Sequence, residues 1–311
     1  MSNFAFLFPG QGSQAVGMGK DLYNNSKIAR DILDSASEAT NIDFKELLFE
    51  ENDKLSLTEF TQPAILLVSL MAYKSFENEL SIKPKYALGH SLGELSALSA
   101  VGAFDINDAV SLVNKRGYLM AKACEGEDVG MLVSLGLGDE VVEELCQNAR
   151  EEGRDVWPVN YNSDGQIVIA GNKDDLISLE PELKEAGARR AMLLNMSVAS
   201  HCPLLQSAVE PFKNELEKVI KDNFIAPVIS NVTAKPYNSA KEALELLPKQ
   251  LISPVLYKQS IKNIDDEIDC YIEFGHGNVL KGLNKKLTKK PHLNISDISS
   301  LEKSIKAINE L

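Results

Sequence analysis

The sequence predicts an α/β fold: a mostly parallel sheet covered by helices on both faces, interrupted by a smaller inserted domain. Three observations predict it. Short apolar runs that fit buried strands alternate with longer stretches of three- and four-residue apolar spacing, the pattern of strands joined by crossover helices. Over residues 127–198 the order changes to strand, helix, strand, strand, helix, strand. The chain has 311 residues, 44% hydrophobic and 25% charged, which is enough for two globular domains and outside the range of disordered chains.

The elements follow in order. Residues 4–8 form an apolar run closed by Pro9 and Gly10, a buried first strand. Helical spacing follows over 29–39. Pro63 opens a strongly apolar helix to about Phe76, with Thr61 as its cap. Tyr86, Ala87 and Leu88 make a short strand before Gly89, and a helix begins at or just after Ser91 and runs to about Ala100. Asp105 caps a long helix reaching Ala123. The middle then reads as a strand at 131–135, a helix at 140–150, strands at 156–159 and 166–170, a helix at 176–186 and a strand at 191–195. That is the ferredoxin-like order, and it assigns residues 127–198 to a small domain. Residues 1–126 and 199–311 remain as a discontinuous large domain. There, helix 204–220, strands 226–229 and 271–274, and helices 279–287 and 299–308 restore the alternation.

Lys plus Arg number 32 against 45 Asp plus Glu, a net charge of −13. That balance excludes binding of nucleic acid or an anionic membrane through the overall field, so an anionic ligand needs a local basic site. Cys124, Cys146, Cys202 and Cys270 form no C-x-x-C pair and lack metal-ligand spacing, so they read as reduced thiols and no metal is expected. The first residues carry no basic leader. The longest apolar stretch, 64–72, is broken by Ser69 and is too short to span a bilayer. A cytoplasmic location is expected. No apolar surface stripe is left over, so a monomer is expected.

The chemistry centres on Gly89-His90-Ser91-Leu92-Gly93, a G-x-S-x-G between a short strand and a helix. A sharp turn there presents the serine oxygen at a helix N-terminus, where amides and the dipole favour negative charge. The Leu92 amide is placed to stabilise an oxyanion, and Glu94 falls in the first helical turn. The plain alternative is a turn with a capping serine. A serine nucleophile needs a base. His90 adjoins Ser91 and should point away from it. His201, in a loop before a helix, is modestly favoured over His276, and His292 is set aside. Arg116 shares a helix face with Ala109, Leu112, Val113, Leu119 and Met120. A guanidinium turned toward a core needs an anion; an internal carboxylate and a substrate carboxylate, gripped by the planar fork, are both open. Gly10-Gln11-Gly12-Ser13-Gln14 lacks the spacing of a nucleotide loop but can offer a backbone amide to an oxyanion.

Together, FPGQGSQ (8–14), GHSLGE (89–94), NKRGYLM (114–120), NYNSDGQIVIAG (160–171), SHCPLL (200–205), PKQLISPV (248–255) and EFGHGNVLKGLNKK (273–286) resemble the malonyl-CoA:acyl carrier protein transacylases of fatty acid synthesis over essentially the whole chain. The resemblance implies an α/β-hydrolase-like large domain with an inserted ferredoxin-like one. It implies Ser91 as nucleophile, His201 as general base and acid, Gln11 and Leu92 as oxyanion-hole amides, and Arg116 as the clamp on the malonyl carboxylate. Gln250 would orient the histidine through its backbone carbonyl, with Asn160, Asn162 and His90 in support. Malonyl-CoA and an acyl carrier protein are the implied partners, with no cofactor. His276 stands where many relatives look like FGPG, adding a titratable group at the pocket edge. Lys281, Lys285 and Lys289, spaced by four with Lys286 and Lys290 beside them, suggest either a solvated face or a docking patch for an acidic carrier. The rivals are an acyl hydrolase, a non-catalytic carrier-binding protein, and a transacylase serving a polyketide synthase.

Overall fold

The computed structural model describes residues 2–196 and 198–311. The first part of the chain runs through β1 (Phe4–Phe8), α1 (Lys20–Asn25), α2 (Lys27–Thr40), α3 (Phe44–Phe49), α4 (Thr58–Glu79), β2 (Tyr86–Gly89), α5 (Leu92–Ala100) and α6 (Ile106–Ala123). The middle contains β3 (Val129–Leu135), α7 (Asp139–Glu151), β4 (Val156–Ser163), β5 (Gln166–Asn172), α8 (Lys173–Glu185) and β6 (Arg190–Leu193). The last part holds α9 (Gln206–Val219), β7 (Val228–Ile229), β8 (Pro236–Tyr237), α10 (Ala240–Gln250), α11 (Tyr257–Ile264), β9 (Cys270–Phe274), α12 (Val279–Asn284), β10 (His292–Ile295) and α13 (Ile298–Asn309).

The larger sheet has the order β10-β9-β1-β2-β7-β8 and is parallel except at its β7–β8 edge. All five residues of β1 are buried, as a central strand covered on both faces requires. The smaller sheet, β4-β5-β3-β6, is antiparallel throughout. It packs its own apolar cluster, including Leu132, Val142, Ile169 and Leu179, against α7 and α8. Helix α4 is buried on every side from Thr61 to Tyr73 because it lies inside the large core, where Tyr73 and Phe76 meet Phe6, Phe8 and Phe274. No helix among the described residues is long and apolar enough to cross a membrane.

The two sheets are stitched together beside the site. Val255 N donates to Val159 O at 2.8 Å and Tyr161 N to Val255 O at 3.0 Å, so the bulged strand β4 borrows a partner from the large sheet's side. Lys258 contacts Asp139, and Lys262 reaches Asp164 at 2.8 Å. β1 and β2 are neighbours, and both end at the cleft, the usual place for a site in a parallel sheet.

Several boundaries differ from the sequence expectations. Helix α4 begins at Thr58, not at Pro63, and Thr61 does not cap it. Pro63 is tolerated inside because the Glu59 carbonyl, which it leaves without a helical donor, accepts from Asn114 Nδ2 at 2.9 Å. Thr61 Oγ1 instead donates to Leu55 O and Leu57 O. Asp105 occupies the N-cap position of α6, but its side chain makes no capping bond and is taken by Lys221. The helix expected at 279–287 ends at Asn284, so Lys289 lies beyond it and the lysines do not ride one helical stripe. The expected 226–229 strand shrinks to two residues. Helices α1, α3, α10 and α11 and strands β8 and β10 were not anticipated.

Candidate active site

β2 runs into Gly89, the chain turns at His90 and Ser91, and α5 starts at Leu92. Ser91 sits at φ 54, ψ −106, a backbone conformation that only a well-braced non-glycine residue holds. The bracing is visible. Ser91 N donates to Asn231 Oδ1 at 2.7 Å, Asn231 Nδ2 donates to Gly89 O at 2.7 Å, and Gln250 Nε2 donates to Ser91 O at 3.1 Å. The flanking glycines serve close approach. A Cβ on Gly93 would lie 2.0 Å from the Phe8 carbonyl oxygen, and one on Gly89 2.1 Å from the Gly93 carbonyl carbon.

Of the two histidines left open by the sequence, His201 is the one that meets the serine. Its Nε2 lies 2.8 Å from Ser91 Oγ and its Nδ1 2.6 Å from the Gln250 carbonyl oxygen. That carbonyl can only accept, so Nδ1 carries the proton and Nε2 is free to accept from the serine hydroxyl. Burial first, and then the nearby Arg116 charge, push the imidazole down to about 3, which keeps it neutral. His201 itself is at φ 66. His276 is not among the residues that line the cleft; its segment contributes Val279, Leu280 and Leu283 instead, so the expected titratable group at the pocket edge is absent from the wall.

Arg116 has no exposed surface. One terminal nitrogen donates to Gln62 Oε1 at 2.7 Å; the other donates to Gln250 Oε1 at 2.8 Å and Ser91 Oγ at 3.2 Å. All three acceptors are neutral. Among the described residues no carboxylate forms an ion pair with it and its Nε has no partner. Burial lowers the guanidinium to about 10, opposed by the charge of Glu94, and it stays cationic at neutral pH. The internal salt bridge that the sequence left open is therefore not what satisfies this side chain.

The remaining expected residues gather at the same place. Neither the Gln11 nor the Leu92 backbone N–H donates to an acceptor among the described residues, and both residues line the cleft. His90 Nε2 lies 2.8 Å from Asn162 Oδ1, and burial pushes its ring down from its ordinary value. Asn160 is buried on the wall, and its Oδ1 has no partner among the described residues. The cleft encloses about 370 Å³, with Met131, Val133, Val168, Leu194 and Met196 as its apolar side. Sequence reasoning missed Gln62, Asn231 and Tyr237. Gln62 had a signal, a lone amide beside Pro63 at the head of the apolar run 64–68. The other two had none, because their role depends on long-range packing. The arrangement can deprotonate Ser91, hold an oxyanion on two backbone amides, and pair an anionic group beside the nucleophile.

The acyl transferase domain family matches residues 5–307. The malonyl CoA-acyl carrier protein transacylase of Bacillus subtilis is 40% identical over 100% of this chain and 98% of its own. The crystal structure of the malonyl-CoA:acyl carrier protein transacylase from Helicobacter pylori superposes with a TM-score of 0.97 at 45% identity, covering 100% of this chain and 99% of that one. A malonyl-transacylase solved in complex with a type II PKS acyl-carrier protein has a TM-score of 0.94 at 34% identity, covering 98% and 100%.

Proposed function

The chain belongs to the acyl transferase domain family, and from that premise we propose that it moves a malonyl group from malonyl-CoA to the phosphopantetheine thiol of an acyl carrier protein by way of an ester on Ser91. The Ser91 hydroxyl gives its proton to His201 Nε2 as Oγ attacks the thioester carbonyl. The amides of Gln11 and Leu92 take the oxyanion. The carbon–sulfur bond breaks, and coenzyme A leaves as a thiol with the proton from His201. In the second half the carrier thiol loses its proton to His201, its sulfur attacks the ester, and Ser91 Oγ regains the proton. Gln250 keeps the imidazole aligned through its carbonyl. Asn160, Asn162 and His90 shape the wall beside the acyl group. No cofactor takes part.

The observation that carries the reading is Arg116. A wholly buried cation behind the cleft wall, whose terminal nitrogen lies 3.2 Å from Ser91 Oγ and whose Nε has no partner among the described residues, supports an anionic acyl group as the ligand. The malonyl carboxylate would take the donor now spent on Ser91 Oγ, and an acetyl group offers nothing in exchange. A serine hydrolase has no need of such a group.

The finer architectural reading is an α/β-hydrolase-like domain of residues 1–126 and 199–311 with a ferredoxin-like domain of 127–198, supported by the separate apolar cluster of the small sheet. Lys285, Lys286 and Lys289 are exposed and Lys281 is half-buried beside the cleft wall, which supports a docking patch for an acidic carrier. The enzyme is read as a cytoplasmic monomer. The similar structure solved with a type II PKS carrier supports a second reading, in which the carrier belongs to a polyketide synthase.

Release of coenzyme A from malonyl-CoA, followed with and without holo carrier protein, tests the proposal. Turnover that depends on the carrier and appears as malonyl-carrier is expected. Equal turnover without the carrier would make the protein a hydrolase.

A further inference from the structure

Glu94 is a wholly buried carboxylate in the first turn of α5, and the mechanism does not use it. Its neighbours are donors: Asn231 N at 3.0 Å and Gln250 Nε2 at 2.7 Å on Oε2, and the Tyr237 hydroxyl at 2.8 Å on Oε1. Burial is the largest influence and raises its carboxyl above the ordinary value, while the three donors and the Arg116 charge pull the other way and favour the ionised form.

The Gln250 side chain lies between this anion and the buried cation. Its nitrogen faces Glu94 and the Ser91 carbonyl, and its oxygen accepts from Arg116 at 2.8 Å. The two ends of a primary amide have nearly the same shape, so only the neighbours decide which way it points. A carboxylate accepts and a guanidinium donates, so the Glu94–Gln250–Arg116 chain has one favourable orientation. Turned over, the amide would set N–H groups against the guanidinium and its oxygen against the carboxylate.

We infer that Glu94 is a positioning residue for the acyl carboxylate: by fixing the orientation of the Gln250 amide it holds the Arg116 guanidinium toward the acyl group. The inference rests on the proposed function, in which Arg116 grips that carboxylate. Glu94 supplies a counter-charge one amide removed from Arg116. A direct ion pair would occupy the guanidinium's donors, and the acyl group would have to displace it. Placed behind Gln250, the negative charge compensates the buried cation and leaves the terminal nitrogen beside Ser91 Oγ to donate to the acyl group. The backbone carbonyl of Gln250 orients His201, so the acyl clamp and the base share one anchor.

The test is Glu94→Gln, which keeps the volume and removes the charge that orients the amide. Single-turnover loading of Ser91 is measured with malonyl-CoA and acetyl-CoA for wild type, Glu94→Gln, Arg116→Ala and the double variant. Malonyl loading should fall about 10- to 100-fold more than acetyl loading in Glu94→Gln, the range set by loss of one charge-assisted hydrogen bond. In the Arg116→Ala background the extra malonyl loss should vanish, because Glu94 acts through Arg116. Equal losses on both substrates, or full additivity in the double variant, would reduce Glu94 to a structural support and overturn the inference. If Glu94→Gln does not fold, Glu94→Asp keeps the charge but withdraws it from Gln250; malonyl selectivity should then drop by about threefold or more, and unchanged selectivity would overturn the inference. Failure of wild type to prefer malonyl over acetyl would instead count against the proposed function.

Discussion

Replacing Arg116 by alanine separates acyl selection from acyl transfer. The guanidinium is fully buried and now gives bonds of 2.7 and 2.8 Å to two glutamine oxygens and one of 3.2 Å to Ser91 Oγ. A malonyl carboxylate that takes the donor now spent on Ser91 Oγ, with its second oxygen at the neighbouring terminal nitrogen, gains two charge-assisted bonds, about 1.5–3 kcal/mol each. Their loss amounts to about 3–6 kcal/mol, and about 1.4 kcal/mol is a factor of ten, so malonyl loading should fall by about 10²–10⁴. Acetyl makes neither bond, and its loading should stay within about tenfold of wild type, the residue reflecting looser support around Ser91. Two glutamine oxygens are left without their donor, at about 1–3 kcal/mol each, so a melting curve must accompany the kinetics. The assay is rapid-quench loading from each thioester, read as intact-protein mass. Equal factors for malonyl and acetyl would refute the clamp.

Two further outcomes follow from the same geometry. His201 is neutral when folded, with its value pushed down to about 3, whereas the unfolded chain protonates it near 6.5. Between those values the unfolded state binds the extra proton, so this histidine's contribution to stability falls as pH drops, by up to about 1.4 kcal/mol per pH unit. Denaturant midpoints of wild type and His201→Gln should therefore converge between pH 6.5 and 5; a constant gap would mean the ring is not held neutral. Gly93→Ala places a methyl group 2.0 Å from the Phe8 oxygen, inside rigid backbone on both sides. It should destabilise the fold by about 3 kcal/mol or more, and a melting temperature within a degree of wild type would contradict the packing of the elbow.

Much of this was legible in the sequence because local signals and tertiary demands coincide. The G-x-S-x-G turn reads as strand, turn and helix from residue types alone, and Ser91 is where it should be. Arg116 stood out because its helix face was otherwise apolar. The strand, helix, strand, strand, helix, strand succession of the middle was visible in its apolar runs. The misses have physical causes. Pro63 reads as a helix start until Asn114, far along the chain, supplies the donor that its ring removes. The lysine run from Lys281 to Lys289 reads as one helix, but α12 ends at Asn284 and residues 285–287 continue only as a turn, which the four-residue lysine spacing does not distinguish from helix. Asn231 and Tyr237 are ordinary loop and edge residues by sequence, and only the folded chain brings them under the elbow.

The central claim is a covalent acyl group on Ser91 that the carrier removes. Intact mass spectrometry after brief exposure to malonyl-CoA, on wild type and Ser91→Ala, with and without holo carrier protein, tests it most directly. A malonyl adduct on wild type alone, discharged onto the carrier faster than into water, is the expected result. A folded wild type that never carries the adduct, or a Ser91→Ala variant that does, would contradict it.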